Sequence, residues 1–184
     1  RRPSASQRNA HRQILPTSFA RRAARTFSEA DRSAREELEI VVLLYEFVNK
    51  YVSRAAEKNI SLHAVLPVNQ KIFLLGDHRG LELAFRNIIE NAIKYTPEQG
   101  SVTVALGISE AGRTCQITVT DTGYGIPENE LANIFEPFYR SVKHKASIPG
   151  TGLGLPIVKR VITNHQGAIT VTSQENVGTT FSIL

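Results

Sequence analysis

Several residue types are scarce or missing in this chain of 184 residues. Cys115 is the one cysteine, which excludes an internal disulfide. No stretch approaches the ~18 consecutive apolar residues of a membrane-spanning helix, so we expect no membrane contact by this segment and a cytoplasmic location, whether or not a longer parent is anchored. Methionine is absent, which predicts that residue 1 is not a translational start and that the chain is a fragment or a processed product.

Acidic residues are missing from the first 28 positions, which contain seven arginines. The excess positive charge therefore belongs to this segment, and the rest of the chain is nearly neutral. An Arg-, Ser- and Ala-rich composition favours a disordered tail or linker over residues 1–38. The remnant of an upstream helix and an organelle-targeting peptide are the alternatives. Aromatic residues do not alternate with the arginines, so we expect no nucleic-acid partner.

Residues 39–184 have the patterning of one compact domain. Alternating and helical apolar spacing predicts strands at 39–43, 60–66, 71–75, 102–108, 115–119, 168–173 and 179–183, and helices at 44–58, 79–95 and 153–165. Asp77 is expected to cap the second helix, which Pro97 and Gly100 end. Hairpin strands beside crossing helices indicate an α/β (α+β) two-layer sandwich, with a mixed sheet of about five strands covered on one face by about three helices.

Polar residues form a separate stripe on the second predicted helix. Asn87, Asn91 and Lys94 follow one another at helical spacing, with Tyr95 beside them. Amide oxygens can ligate Mg²⁺, which needs only one or two protein ligands besides phosphate oxygens and water, and the ammonium can neutralise phosphate. A solvated helix face with a Glu90–Lys94 ion pair is the alternative interpretation.

Asp121 continues the alternation of Ile117 and Val119, which predicts that its carboxylate lies on the apolar face of its strand. A buried carboxylate needs a partner, and either the exocyclic amine of a purine or the backbone of the following turn would provide one. Gly123 and Gly125 permit positive φ angles and a close approach of the backbone to a flat base.

A second glycine-rich segment, residues 150–155, leads into the last predicted helix. Glycines before a helix expose free N–H groups and the positive end of the helix dipole, which favours phosphate binding. The segment does not follow a strand, so it is not the dinucleotide-binding fingerprint, and the chain has no P-loop sequence. A glycine turn needed only for chain reversal is the alternative.

The loop between the two glycine segments carries aromatic and cationic residues. Phe135 and Phe138 are expected to pack the base of this loop onto the domain. Arg140 and Lys143 are candidates for contact with a γ-phosphate, with a solvated cationic loop as the alternative. Gly, Pro and Ser at 147–152 predict the mobility that a nucleotide lid requires.

In this order, the segments resemble the catalytic and ATP-binding domain of sensor histidine kinases, a family that shares the Bergerat ATP-binding fold with DNA gyrase, heat-shock protein 90 chaperones and MutL mismatch-repair proteins. Residues 87–96 look like the asparagine box, 121–125 like the first glycine box, 135–138 like the phenylalanine box and 150–155 like the second glycine box. The resemblance covers about residues 39–184, and the combination of motifs is specific.

The resemblance implies Mg-ATP as the ligand. Asn91 and Asn87 would hold Mg²⁺, Lys94 and Arg140 would contact phosphates, and Asp121 would accept from the adenine amino group. The remaining residues that would bind the nucleotide are Tyr95, Gly123, Gly125, Ile126, Lys143, Gly150, Thr151, Gly152, Leu153, Gly154, Leu155 and Thr180. ATP-hydrolysing relatives have a glutamate as general base where this chain has Asn87, which favours phosphoryl transfer to a separate acceptor over hydrolysis.

The phosphoacceptor histidine of that family lies in a His-Glu-Leu-Arg-x-Pro-like box on a dimerising helical hairpin. His11 and Pro16 match only the ends of that box, so we interpret them as a chance match. The resemblance therefore implies a domain that binds ATP or ADP and phosphorylates a histidine on a separate dimerisation domain, with a response-regulator receiver domain downstream. A serine kinase of the anti-sigma type and a non-catalytic nucleotide-binding scaffold are the alternatives.

Overall fold

A computed structural model describes residues 35–67, 69–109, 114–141, 143 and 148–184. The arginine-rich segment with His11, and His144 in the predicted lid, lie outside these residues. No helix in the described ranges combines the length and the apolar character needed to cross a bilayer.

The described residues form seven strands and four helices. In chain order these are β1 (Glu36–Glu39), α1 (Ile40–Ala56), β2 (Ser61–Val65), β3 (Phe73–Gly76), α2 (His78–Tyr95), β4 (Ser101–Ile108), β5 (Cys115–Asp121), α3 (Glu128–Leu131), α4 (Gly154–Asn164), β6 (Ile169–Gln174) and β7 (Gly178–Ile183).

Five of the strands form a mixed sheet in the order β2-β4-β5-β7-β6, and β1 and β3 pair as a separate antiparallel ribbon. β2 runs parallel to β4, and the other neighbours are antiparallel. The long helices α1, α2 and α4 pack on one side of the sheet. The predicted two-layer sandwich is confirmed.

The core lies between the sheet and these helices. Alternate residues of β4 and β5 are buried because period-two alternation turns them toward the helices, and Val102, Val104 and Val119 among them are at most 1% exposed. The predicted apolar stripe of α2 is buried against them, with Phe85 and Ile88 among its members. The opposite stripe of α2 faces the edge of the domain where β5 ends and β7 begins.

The strand predicted at residues 39–43 is wrong. Ile40 begins α1, and Ile40, Leu43, Leu44 and Phe47 are buried at helical spacing. Burial of this stripe outweighs the modest resistance of β-branched residues to helix formation. The strand lies just before, at Glu36–Glu39, so the last residues of the predicted tail pair with β3.

The start of α2 is held by a histidine from another helix. Asp77 occupies the N-cap position, but its side chain makes no capping hydrogen bond, so the predicted role of that carboxylate is wrong. The Asp77 backbone N–H instead donates to Nε2 of His165, at 2.8 Å. Nδ1 of His165 lies 2.7 Å from the Val161 carbonyl and donates to it. The carboxyl end of α4 is thereby fixed to the residue that precedes α2.

The aromatic pair between α1 and α2 provides a test of the core. Phe85 is 1% exposed, and its ring centroid lies 5.8 Å from that of Phe47. Phe85→Ala is expected to lower the free energy of unfolding by about 3–5 kcal/mol, because it removes a buried ring and leaves a cavity. Urea denaturation measures the change. Phe73→Ala is the control, since Phe73 is 54% exposed. Equal losses for the two variants would contradict the core position of Phe85.

Candidate nucleotide-binding site

A cavity of about 390 Å³ lies between the second half of α2, the end of β5, the start of β7 and the start of α4. This volume is within the range of pockets that bind small molecules and cofactors. Most of the residues predicted from the sequence to bind Mg-ATP line it. They are Asn87, Asn91, Lys94, Tyr95, Asp121, Gly125, Ile126, Arg140, Gly150, Thr151, Gly152, Gly154 and Leu155.

The other predicted residues do not line the cavity. They are Gly123, Lys143, Leu153 and Thr180. The Lys143 ammonium instead donates to the carboxylate of Glu175. The hydroxyls of Thr180 and Thr120 lie 3.0 Å apart in an exposed pair on the opposite side of the sheet. The N–H of Gly123 donates to the Asp121 carboxylate and that of Leu153 to the Thr151 hydroxyl, so both contact lining residues through their backbone.

Asp121 is the buried carboxylate of the cavity, with 6% of its surface exposed. Its Oδ1 accepts from the backbone N–H groups of Gly123, at 2.8 Å, and Thr179, at 3.3 Å. No group in the described ranges donates to Oδ2. Burial raises the pKa of Asp121 to about 6, although the two backbone donors act in the opposite direction. The turn therefore holds one oxygen and leaves the other for a ligand that donates a hydrogen bond.

Two glycines bring the backbone close to this carboxylate. Gly125 has a φ of 67°, and a Cβ there would lie 2.0 Å from the Gln174 carbonyl oxygen. A Cβ on Gly123 would lie 2.6 Å from the carbonyl oxygen of Tyr95. Any larger residue would push the first glycine segment away from β6 or α2.

The amide of Asn87 is oriented by its own helix. Its Nδ2 donates to the Leu83 carbonyl at 2.7 Å, which leaves Oδ1 directed at the start of α4. A Cβ on Gly154 would approach that oxygen to 2.9 Å, so glycine keeps the space in front of it open. Asn91 lines the same side of the cavity one turn later.

Lys94 brings a cation to the cavity. Its Nζ lies 4.9 Å from the centroid of the Tyr95 ring, and a Cβ on Gly150 would lie 2.7 Å from it. Burial and the neighbouring Arg140 lower the pKa of Lys94, while Glu90 raises it. Glu90 forms its ion pair with Arg54, at 2.9 Å, rather than the Glu90–Lys94 pair of the alternative interpretation. A cation that is partly buried beside another cation favours an anionic ligand.

The start of α4 provides backbone donors. Gly152 has a φ of 71°, and its carbonyl accepts from the Phe138 N–H at 2.8 Å, which closes the loop over the helix start. No acceptor in the described part of the chain engages the N–H groups of Gly154 and Leu155. These groups point out of the helix at its positive end, where phosphate binds favourably.

The two phenylalanines of the loop differ. Phe135 packs edge-to-face on Phe181 with centroids 6.5 Å apart, as predicted. Phe138 is 45% exposed and has a φ of 65°, so the prediction that it packs onto the domain is wrong. Nearby, the Arg140 guanidinium lines the cavity and donates to the Ile148 carbonyl. The loop is therefore anchored by Phe135 and the Gly152 carbonyl.

Residues 76–184 match the family described as histidine kinase-, DNA gyrase B-, and HSP90-like ATPases. The chain belongs to this family. It is 38% identical over 160 residues to the heme sensor protein HssS of Staphylococcus saprophyticus, covering 85% of this chain and 33% of that protein. It is 34% identical over 165 residues to the sensor histidine kinase Hik2 of Synechocystis, and the match covers 88% of this chain and 36% of that protein. The chain thus spans about a third of the length of these curated relatives.

Solved histidine kinase structures have the same fold. The mycobacterial sensor histidine kinase MprB is 29% identical with a TM-score of 0.67, covering 82% of this chain and 95% of that one. Full-length ShkA, solved in complex with AMPPNP, is 28% identical with a TM-score of 0.73, and the match covers 88% of this chain and 34% of that one. The predicted Bergerat fold and family resemblance are confirmed, and in this family the domain is the catalytic ATP-binding module.

The cavity of this ATPase-family domain also includes residues that the sequence reasoning missed. They are Arg54, Glu90, Ala92, Glu130, Ile134, Tyr139, Ser141, Pro149, Pro156, Thr179 and Phe181. The sequence could have indicated Thr179, because it lies two residues before Phe181 and so falls on the same face of its strand as the apolar residues Phe181 and Ile183. Thr180 falls on the opposite face. No local pattern in the sequence indicates Arg54, because it reaches the cavity only when α1 packs beside α2 in the folded domain.

No group of three or more His, Cys, Asp or Glu side chains capable of holding a metal lies within the described ranges. Two asparagine amides on one helix, beside glycines that leave open space, fit Mg²⁺ that takes its other ligands from phosphate and water.

The raised pKa of Asp121 predicts a pH dependence of stability. Its pKa rises from 3.8 to about 6 on folding, so the folded state favours the protonated form. The contribution of the protonated Asp121 to the free energy of unfolding is fully present below pH 3.8 and is lost as the pH rises through about 6. Relative to Asp121→Asn, the wild-type free energy of unfolding is expected to fall by up to about 3 kcal/mol between pH 4 and pH 7. Urea denaturation of both proteins across this range tests the sign, and a constant difference would contradict it.

Proposed function

We propose that this chain is the ATP-binding catalytic domain of a sensor histidine kinase, and that it transfers the γ-phosphoryl group of Mg-ATP to a histidine on a separate dimerisation domain. The observation that carries the proposal is one cavity that joins the Asp121 carboxylate to the cationic end of α2 and the start of α4. A base-recognising acceptor and a phosphate-binding region therefore share a single pocket.

Asp121 selects adenine in this proposal. Its unoccupied Oδ2 accepts from the exocyclic amine, while the Gly123 and Thr179 N–H groups keep the carboxylate in place. Gly125 and Ile126 form the wall beside the base, and the partly buried ring of Tyr95 flanks it. A base without an amino donor would leave a buried carboxylate unpaired, which costs free energy.

The phosphates lie toward α4. The N–H groups of Gly154 and Leu155 donate to them at the positive end of the helix, and Lys94 supplies a positive charge. Asn91 and Asn87 hold Mg²⁺ through their amide oxygens, and when bound the ion neutralises phosphate charge. Arg140 lines the same region and adds a second cation. The contribution of these groups is positioning and charge stabilisation.

Transfer is favoured over hydrolysis because the amide of Asn87 cannot take a proton from water. The acceptor imidazole nitrogen forms a bond to the γ-phosphorus, the bond from that phosphorus to the β,γ-bridging oxygen breaks, and ADP leaves. The described histidines are His63, His78 and His165, and none of them lines the cavity. We infer that the acceptor belongs to another domain, which agrees with a match that makes up only about a third of each relative's length.

The longer parent would be a dimeric sensor that passes the phosphoryl group on to the receiver domain of a response regulator. The names of two relatives support the sensor-kinase part of this assignment: Hik2 is a sensor histidine kinase, as is WalK of Bacillus subtilis, which is 33% identical over 149 residues. In this arrangement the domain works in the cytoplasm, where ATP is available.

Asp121→Ala tests adenine recognition. The variant is expected to bind Mg-ATP about 10- to 100-fold more weakly than wild type, because it loses a hydrogen bond to a charged acceptor. Isothermal titration calorimetry measures the affinity. Thr120→Ala is the matched control, since Thr120 precedes Asp121 and points to the exposed side of the sheet. Equal affinity for Asp121→Ala and wild type would rule out the base contact.

Transfer is tested by incubating the domain and radiolabelled Mg-ATP with the helical hairpin of the full-length parent. Label on the hairpin is expected to be acid-labile and to disappear when its acceptor histidine is changed to glutamine. Acid-stable label would instead indicate a serine kinase. Binding of ATP with no transfer under any condition would indicate a non-catalytic scaffold.

A further inference from the structure

The carboxyl end of α2 lacks the donors that would continue the helix. The Thr96 N–H and hydroxyl both donate to the Ala92 carbonyl, at 3.1 and 2.6 Å. The next carbonyl is that of Ile93, and its helical donor would be the N–H of residue 97. That residue is proline, which has no N–H. The last turn therefore presents carbonyl groups that need partners from outside the helix.

Lys58, in the turn after α1, supplies these partners. Its Nζ donates to the carbonyls of Ile93 at 2.8 Å, Thr96 at 3.0 Å and Lys94 at 3.3 Å. An ammonium has three N–H groups, so each carbonyl receives one. A cation at this position also interacts favourably with the negative end of the helix dipole. Burial lowers the pKa of Lys58, while Glu98 raises it.

Backbone hydrogen bonds also join the turn after α1 to the turn after α2. The Gln99 N–H donates to the Asn59 carbonyl, and the Ser61 N–H donates to the Gly100 carbonyl, each at 3.0 Å. These bonds do not involve the Lys58 side chain. Replacement of that side chain is therefore expected to leave the two turns joined and the domain folded, while it releases the last carbonyls of α2.

These carbonyls belong to the turn that carries the cationic end of the cavity. The Lys58 ammonium is bonded to the carbonyl of Lys94 itself, whose side chain lines the cavity. The neighbouring Tyr95 carbonyl accepts from the Tyr124 N–H at 3.1 Å, so the first glycine segment rests on the same turn. A shift of this turn would move Lys94 relative to Asp121.

We propose that Lys58 is a positioning residue for the nucleotide site, which fixes the last turn of α2 so that Lys94 meets the phosphates. This inference rests on the proposed function, because it requires Lys94 to contact nucleotide. Lys58 lies before the residues that match the ATPase family and outside the lining of the cavity. It acts through the α2 backbone and does not touch the ligand.

The test compares Lys58→Met, which has similar length and no donors, with Lys58→Arg and with Lys50→Met. Lys50 is an exposed lysine of α1 that pairs with Glu82 at 3.1 Å, so its loss is the matched control. Lys58→Met is expected to bind Mg-ATP about tenfold more weakly by calorimetry, the order of one charge-assisted contact. Lys58→Arg is expected to restore most of the affinity, and Lys50→Met to bind like wild type. Circular dichroism confirms that each variant is folded at the temperature used.

A double-mutant cycle separates positioning from stability. If Lys58 acts through Lys94, Lys58→Met combined with Lys94→Met should bind no more weakly than Lys94→Met alone. Unchanged affinity in folded Lys58→Met, or additive losses in the cycle, would overturn the inference. If Lys58→Met does not fold, Lys58→Gln replaces it. If neither variant folds, Lys58 contributes only to stability and the inference is overturned. Absence of Mg-ATP binding by wild type would instead refute the proposed function.

Discussion

A carboxylate is buried at the end of β5, and the rest of the site is arranged around the need to satisfy it. Asp121 is placed inside by the same alternation that buries Val119, so sheet geometry alone would leave a desolvated charge. Two backbone N–H groups, from Gly123 and Thr179, satisfy one of its oxygens. They can do so only because the first glycine segment and β7 approach it closely. The raised pKa shows that the compensation is partial, and a ligand with a hydrogen-bond donor would complete it.

The end of the cavity opposite Asp121 is positively charged. Lys94 and Arg140 are close enough for Arg140 to lower the pKa of Lys94, and the start of α4 directs N–H groups toward the same space. Both cations are held by groups around the cavity: Lys94 through the last turn of α2 and Arg140 through the Ile148 carbonyl. A polyanion would relieve the repulsion between them. One pocket thus has an acceptor at one end and positive charge at the other, as an adenine nucleotide requires.

Much of the architecture could be predicted because its signals are local. The second predicted helix, at 79–95, begins one residue late and ends at the observed Tyr95, since a long apolar stripe is followed by a proline. The alternation in β4 and β5 was equally clear, and it placed Asp121 on the inner face. The segment at 39–43 was misassigned because its β-branched residues are typical of a strand, while the contacts that stabilise the helix come from distant residues. The resemblance implied a nucleotide contact for Thr180, whereas the alternation of β7 buries Thr179 on the side of the cavity and leaves Thr180 on the other face.

The sequence by itself determined the elements, the order of the motifs and the residue types available for Mg-ATP, because spacing along one helix or strand decides which side chains share a face. Only the tertiary structure decided which of those side chains meet. It paired Glu90 with Arg54, turned Lys143 toward Glu175, and brought Lys58 to the end of α2. The reason is physical: these contacts join residues 32 to 38 positions apart, and such contacts depend on how helices and turns pack rather than on any local pattern.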